Sequence, residues 1–123
     1  MAKYEFSKMD KKLKTKWVKA LRSRKYKQGG NYLCQRREGK DVYCCLGVLA
    51  EVAGETFDKS DLTYELLDGS CSVLSFDLLE KYGLDYNAQD FLTAANDSGT
   101  WRGRLFRKPW RFGKIANWIE KNL

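Results

Sequence analysis

The chain has 123 residues, of which 43% are hydrophobic, with a net charge of +7 and no histidine. This length suits one domain, which we place over residues 1–123, and the composition excludes wholesale disorder. The longest apolar run, Cys44 to Ala50, is too short to cross a bilayer. The N-terminal MAKYEFSKMDKK lacks the apolar region of a secretory signal. We therefore expect a cytoplasmic protein with no membrane partner.

The charges are segregated along the chain. Residues 1–40 carry 14 Lys and Arg against 3 Asp and Glu, residues 41–100 carry 2 against 12, and residues 101–123 carry 7 against 1. If the two basic ends meet in the fold, they form one positive surface that attracts anions. The alternative is that the basic ends pair with the acidic middle, within one chain or between subunits.

The first predicted element is a helix with a basic outer face. Ser7 is a candidate N-cap, with Asp10 three residues later. Apolar residues then recur at helical spacing, and lysines occupy the opposite face. Gly29-Gly30 is expected to end the helical region.

The following segment predicts a hairpin and a buried helix. Strands around Tyr32–Cys34 and Val42–Cys44 flank a turn at Glu38-Gly39-Lys40. Cys45 to Ala53, CLGVLAEVA, reads as a short helix that ends at Gly54.

Residues 55–74 give no clear pattern, but three helices follow. Ser75 caps a helix from Phe76 to Tyr82 that Gly83 closes, and Asn87 is expected to cap another over residues 88–95. A C-terminal helix carries its apolar face at residues 112–119. The predicted fold class is α+β, with about five short helices around one small antiparallel hairpin or sheet.

Residues 101–111, WRGRLFRKPWR, mix basic and aromatic residues around the only proline. The cations suit phosphate groups, and Trp101, Phe106 and Trp110 offer flat faces on which a base can stack. The alternative is a protruding hairpin whose aromatic rings pack on the core or on a neighbouring subunit, because Trp and Arg also favour protein interfaces.

Known catalytic patterns are missing from the sequence. Without histidine, Ser-His-Asp, Cys-His and histidine–metal sites are excluded. The four cysteines form no CxxC pair, so we predict no metal site, and CCLGVL favours core packing of Cys44 and Cys45 over a nucleophilic role. We expect a protein that is not an enzyme and has no cofactor.

A polar pocket is the second candidate feature. Arg22, Tyr26 and Gln28 could line it, with Asn96 and Asp97 facing them, although Asn96 and Asp97 could instead satisfy local backbone groups. Together with the basic-aromatic segment, this gives the predicted ligand-binding residues: Arg22, Arg24, Tyr26, Lys27, Gln28, Asn96, Asp97, Trp101, Arg102, Arg104, Arg107, Trp110 and Arg111.

Three segments in combination carry a resemblance. They are ALRS at 20–23 with KYKQG at 25–29, YCCLGVL at 43–49, and NDSG at 96–99 followed by Phe112, IA at 115–116 and WIE at 118–120. This order resembles a group of short uncharacterised proteins encoded by bacteriophages and prophages. The resemblance implies a phage origin and an accessory role, but no activity. In that group the NDSG turn runs almost directly into the final helix, so residues 101–111 look inserted here.

Three functions fit these features. The first is a counter-defence protein that sequesters an anionic, nucleotide-like small molecule in a closed pocket, with homo-oligomers expected; the analogy is to phage proteins that sequester immune nucleotide signals. The second is an inhibitor that docks on a host protein through residues 101–111. The third is nucleic-acid binding through the first helix and that segment.

Overall fold

The computed structural model describes residues 5–123, and within that range there are five helices and seven short strands. The helices are α1 (Lys11–Arg22), α2 (Cys45–Val52), α3 (Phe76–Tyr82), α4 (Tyr86–Asp97) and α5 (Phe112–Asn122). The strands are β1 (Lys27–Gln28), β2 (Cys34–Arg37), β3 (Lys40–Tyr43), β4 (Phe57–Asp58), β5 (Glu65–Leu66), β6 (Thr100–Trp101) and β7 (Arg104–Leu105). The fold is α+β, as predicted.

The predicted hairpin is present and has a further strand. β2 and β3 pair antiparallel, with Cys34 opposite Tyr43, and Glu38 and Gly39 turn the chain at positive φ. β1 pairs parallel with β3, which gives the order β1-β3-β2. The strands β4 and β5 form a separate two-stranded sheet, and β6 and β7 form another.

The start and end of α1 differ from the prediction. Asp10 caps the helix, because its carboxylate accepts a hydrogen bond of 2.8 Å from the Leu13 amide. Ser7 instead donates through its amide and hydroxyl to Asp85, at 3.0 and 3.2 Å. The helix ends at Arg22 and not at Gly29-Gly30, because the chain turns at Arg24, with φ 64°, and enters β1.

The other helices follow their local signals to different degrees. α3 begins after Ser75 and ends at Gly83, as predicted. α4 starts earlier than expected, because Asp85 and not Asn87 is the cap, and its carboxylate accepts a 2.8 Å hydrogen bond from the Asn87 amide. The helix also runs through Asn96 and Asp97, so the left-handed turn falls on Ser98.

The core lies between the helices. α1 packs on α2 and α5, and α2 packs on α4. Trp17 of α1 is fully buried and donates its indole N–H to the Cys45 carbonyl at 2.8 Å. α2 approaches the backbone of Leu33 so closely that a side chain at Gly47 would overlap the Leu33 carbonyl oxygen.

Residues 100–111 are folded onto this core. β6 and β7 form a tight hairpin with Arg102 and Gly103 at positive φ, and the chain then runs to α5. Phe106 is buried. Of the helices within residues 5–123, none combines the length and apolar character needed to cross a membrane. The prediction about a signal sequence falls partly on residues 1–4, which lie outside the described residues.

Candidate functional site

A cleft of about 520 Å³ lies where three distant parts of the chain meet. One wall is the stretch after β1, one is the C-terminal end of α4, and one is the segment that leads into α5. Its lining is Gln28, Gly29, Gly30, Asn31, Asn96, Asp97, Lys108, Pro109, Trp110 and Arg111. The volume lies in the range of small-molecule sites.

A network of amide side chains holds the three walls together. The Gln28 amide nitrogen donates to the Trp110 carbonyl at 2.7 Å and to the Asn96 amide oxygen at 3.2 Å. The Gln28 amide oxygen accepts from the Phe112 amide at 3.0 Å, at the start of α5. Gln28 therefore ties β1 to α4 and to the N-terminus of α5.

Asn96 extends the network to α2. Its amide oxygen also accepts from the Cys45 backbone amide at 3.2 Å, which supplies a cap that Cys44 does not provide to α2. Its amide nitrogen donates to the Gly29 carbonyl and to Asp97, both at 2.8 Å. Because Asn96 is only 3% exposed and makes four hydrogen bonds, it positions the cleft and is not free to bind a ligand.

Asp97 offers an acceptor to the cleft. Its Oδ1 accepts from Asn96, and within residues 5–123 its Oδ2 makes no hydrogen bond. Gly30 lies against it, since a Cβ at Gly30 would come within 3.0 Å of Oδ1. A side chain at position 30 would therefore crowd the carboxylate.

Two cations line the same cleft as Asp97. Lys108 and Arg111 are exposed, and no carboxylate of the described chain lies within 4.0 Å of either. Arg111 directly precedes α5, whose first turn contains no acidic residue. The N-terminus of a helix adds its partial positive charge to such cations.

Residues 108–111, which we call the Lys108–Arg111 ridge, also line a second groove of about 470 Å³. It adds Arg104, Arg107 and Lys114, none of which has an ion-pair partner among residues 5–123. The Arg104 guanidinium lies 4.7 Å from the centre of the Phe106 ring, and the Lys114 ammonium lies 4.7 Å from that of Trp110. We call this groove the cationic groove. Its five cations are Arg104, Arg107, Lys108, Arg111 and Lys114.

The structure brings together part of the predicted site. Gln28, Asn96, Asp97, Trp110 and Arg111 line the cleft, and Arg104 and Arg107 line the cationic groove. Trp101 and Arg102 lie in a further depression on the other side of Asp97. The predicted list lacks five residues that line the cleft: Gly29, Gly30, Asn31, Lys108 and Pro109. Gly29-Gly30 signals a close backbone approach, but its local sequence favours a helix end.

Four predicted residues line neither the cleft, nor the cationic groove, nor the depression beside Asp97. Arg22 pairs with Glu120 at 3.2 Å and donates to Asn117 at 2.7 Å, because α1 packs on α5. Tyr26 packs edge-on against Tyr43, with ring centres 5.0 Å apart. Arg24 and Lys27 are exposed and line none of the clefts described above. Of the predicted pocket, Gln28, Asn96 and Asp97 therefore line one cleft, whereas Arg22 and Tyr26 do not line it.

The aromatic rings of residues 101–111 turn inward. Trp101, Phe106 and Trp110 surround Phe91 of α4, with ring centres 5.2, 5.4 and 5.6 Å away. Their faces pack on the core and under cations, so they do not form the open stacking platform that the sequence suggested. The segment retains its cations as its accessible binding groups.

Burial determines the protonation of the thiols of Cys44 and Cys45. Cys44 and Cys45 are buried, and burial raises the pKa of the Cys44 thiol to about 12. The pKa of Cys45 is raised for the same reason. Both remain protonated at neutral pH, whereas a nucleophilic cysteine needs a lowered pKa. Among residues 5–123 no group of three His, Cys, Asp or Glu side chains could hold a metal ion.

A family model described as a domain of unknown function (DUF8296) matches residues 9–65. The match covers α1 through β4 and includes the Gln28–Asn31 wall of the cleft, but not Asp97 or the cations. No curated protein and no solved structure matches the chain. The resemblance to phage-encoded proteins stays a prediction.

Proposed function

We propose that this chain is a non-enzymatic protein that binds an anionic, nucleotide-like molecule in the cleft between Asp97 and the Lys108–Arg111 ridge. The observation that carries the proposal is that one cleft of about 520 Å³ is lined by a carboxylate oxygen without a hydrogen bond and by two cations without an ion pair, judged over residues 5–123. A nucleotide has the matching chemistry, because it bears anionic phosphate at one end and N–H donors on its base.

The cations and the α5 N-terminus favour the phosphate end. Arg111 presents a guanidinium fork that matches phosphate oxygens, and Lys108 adds a second charge. Asp97 would repel a phosphate placed beside it. The ligand is therefore oriented with its phosphate on the ridge and away from Asp97.

Asp97 favours the base or ribose end. An ionised carboxylate only accepts hydrogen bonds, so Oδ2 suits an amino group, a ring N–H or a hydroxyl. Gly30 lines the cleft beside this carboxylate, and a Cβ there would come within 3.0 Å of Oδ1, so the absence of a side chain at Gly30 leaves Asp97 uncrowded. Sequestration of such a molecule fits a counter-defence role, which rests on the analogy to phage proteins that sequester immune nucleotide signals.

Binding without turnover is supported by the available side chains. The chain lacks histidine, and burial raises the pKa of Cys44 away from the nucleophilic range. The cleft supplies charges that hold a ligand but offers no nucleophile paired with a base.

Calorimetry against cyclic nucleotides and ADP-ribose derivatives tests the proposal. We expect at least one compound to bind, with affinity reduced roughly tenfold or more by Arg111→Ala, since a charged hydrogen bond is lost. Asp97→Asn should change the preference among bases more than the affinity for phosphate. Lys25→Ala, which removes an exposed cation outside the cleft, is the matched control. Absence of heat and of thermal shift with every compound would reject the proposal.

Nucleic-acid binding is the second candidate, because the cationic groove extends beyond the cleft through Arg104, Arg107 and Lys114. Each phosphate contact releases counterions, so the affinity would fall steeply with salt. A gel shift at low and moderate salt separates the candidates: Arg107→Ala should weaken DNA or RNA binding and leave nucleotide binding unchanged.

Docking on a host protein through residues 101–111 has less support. With Trp101, Phe106 and Trp110 packed on Phe91, Leu105 is the large apolar side chain that the segment exposes, at 59%.

A further inference from the structure

The ion pairs do not join the basic ends to the acidic middle. Within residues 5–123 there are three: Lys59–Asp41 and Lys81–Glu55 lie inside the middle segment, and Arg22–Glu120 joins the two ends. Among the described residues, none of these three ion pairs therefore joins a basic end to the acidic middle. Each surface retains its complement for another molecule.

The acidic middle segment, residues 41–100, carries an exposed pair of aromatic residues. Phe76, at the start of α3, is 73% exposed, and Tyr86, at the start of α4, is 50% exposed. Their rings stack with centres 5.4 Å apart, and Tyr32, at 37%, is the other exposed aromatic residue within residues 5–123. We call the surface formed by Phe76, Asp77, Glu80 and Tyr86 the acidic patch.

Charge and shape define the chemistry of this patch. Asp77 and Glu80 are exposed and have no ion-pair partner within residues 5–123. Glu80 lies one helical turn from Phe76, so its carboxylate shares a face with the ring. An aromatic face rimmed by carboxylates favours a partner with guanidinium groups and an apolar side chain, since guanidinium groups stack on aromatic rings.

The same chain carries such a group of residues. Around β7, Arg104 and Arg107 flank Leu105, which is 59% exposed. We call Arg104, Leu105 and Arg107 the basic tip. It presents one apolar side chain and two exposed arginines, of which Arg104 also lies against the Phe106 ring, and this set complements the acidic patch.

We propose that the acidic patch of one copy binds the basic tip of a second copy of this chain. The contact is heterologous, because two different surfaces meet, so it generates closed rings or open chains of copies rather than a two-fold dimer. The net charge of +7 opposes association at long range, but screening limits that repulsion to about 8 Å at physiological salt. At contact distance, the attraction between the acidic patch and the basic tip outweighs this repulsion.

Two variants each remove one surface. Phe76→Ser with Glu80→Lys disrupts the acidic patch, and Leu105→Ser with Arg107→Glu disrupts the basic tip. All four side chains are exposed, so folding is preserved, which far-UV circular dichroism and the thermal midpoint check. Leu62→Ser with Glu38→Lys is the matched control: it removes one exposed apolar group and reverses one acid on the β2–β3 side, where the Leu62 carbonyl bonds to Arg36.

Sedimentation velocity over a range of protein concentrations and salt gives the first readout. We expect the wild type and the control to self-associate, each variant to require at least about tenfold more protein for the same association, and added salt to weaken assembly. A wild type that remains monomeric up to about 200 µM at low salt would overturn the proposal. So would two variants that associate as well as the control.

Mixing the two variants gives the decisive readout. Each retains the surface that the other lacks, so an equimolar mixture should form a heterodimer that grows no further. Isologous contacts cannot produce this result. A mixture that stays monomeric would refute the pairing of these two surfaces.

Discussion

Gly47 and Gly113 both lie inside helices, but their surroundings differ. A Cβ at Gly47 would overlap the carbonyl oxygen of Leu33, which also accepts a 3.1 Å hydrogen bond from the Cys44 amide. A Cβ at Gly113 would meet nothing within 4 Å. One glycine is thus required by a close backbone approach, and the other leaves a helix position without the stabilisation that alanine provides.

The first prediction compares these two glycines. Gly47→Ala should lower the free energy of unfolding by about 3 kcal/mol or more, because α2 must move away from Leu33. Gly113→Ala should raise it by about 0.5–1 kcal/mol, since alanine is the better helix former. Urea denaturation of both variants measures the difference. Equal effects would show that α2 does not pack against Leu33 as described.

Asn96 gives a second prediction at the same scale. Asn96→Ala removes four hydrogen bonds and leaves the Cys45 amide and the Gly29 carbonyl without this partner. We therefore expect the free energy of unfolding to fall by roughly 2–4 kcal/mol. Asn117→Ala removes one hydrogen bond to the exposed Arg22 and should cost less than about 1 kcal/mol. Thermal unfolding of the pair tests whether Asn96 is the structural centre of the cleft.

At the scale of elements, local signals predict some structures and miss others for identifiable reasons. The bounds of α3 follow from Ser75 and Gly83, which act on their own helix. The start of α1 cannot be read in the same way, because Ser7 and Asp10 are both good caps and the choice depends on Asp85, 78 residues away from Ser7. The parallel pairing of β1 with β3 is likewise a contact between distant segments.

For the cleft, the sequence predicts the residue types but not how they are arranged. The residue types of residues 101–111 indicate cations for an anion, and these cations are accessible. The orientation of the rings is not encoded locally, since it depends on Phe91 of α4. Gln28 and Asn96 could be selected as polar residues, but only the fold shows that they bond to each other.

The packing of residues 100–111 leads to the third prediction. Phe106 is 4% exposed and contacts Phe91, whereas its neighbour Leu105 is 59% exposed. Phe106→Ala should therefore cost about 3–5 kcal/mol, and Leu105→Ala should have little effect. Guanidinium denaturation of both variants measures this. A neutral Phe106→Ala would mean that the segment is not packed on the core.

For the whole molecule, charge contributes less to folding than the core does. The three ion pairs are exposed or half-exposed, and such pairs stabilise a fold by at most about 1 kcal/mol each. The core instead contains Cys34, Cys44 and Cys45, which are buried as thiols. The response of the fold to alkaline pH should therefore depend on these thiols.

The fourth prediction follows from their pKa values. Burial raises the pKa of Cys34 and of Cys44 from about 9 to about 12, so between these values the folded chain holds protons that the unfolded chain has lost. Raising the pH then favours unfolding, and stability falls by roughly 1 kcal/mol per pH unit for each thiol. The pKa of Tyr43 and of Tyr82 is also raised by burial, which adds to the loss above pH 10.

Denaturant unfolding between pH 7 and pH 11 tests this dependence. The midpoint should be nearly constant up to about pH 9 and should then decline. Cys44→Ala lowers stability at pH 7, because it leaves a cavity, but it should decline less steeply above pH 9, since one buried thiol is gone. Cys71→Ala, at the partly exposed cysteine, should keep the wild-type slope. A Cys44→Ala slope equal to that of the wild type would mean that the buried thiols do not limit alkaline stability.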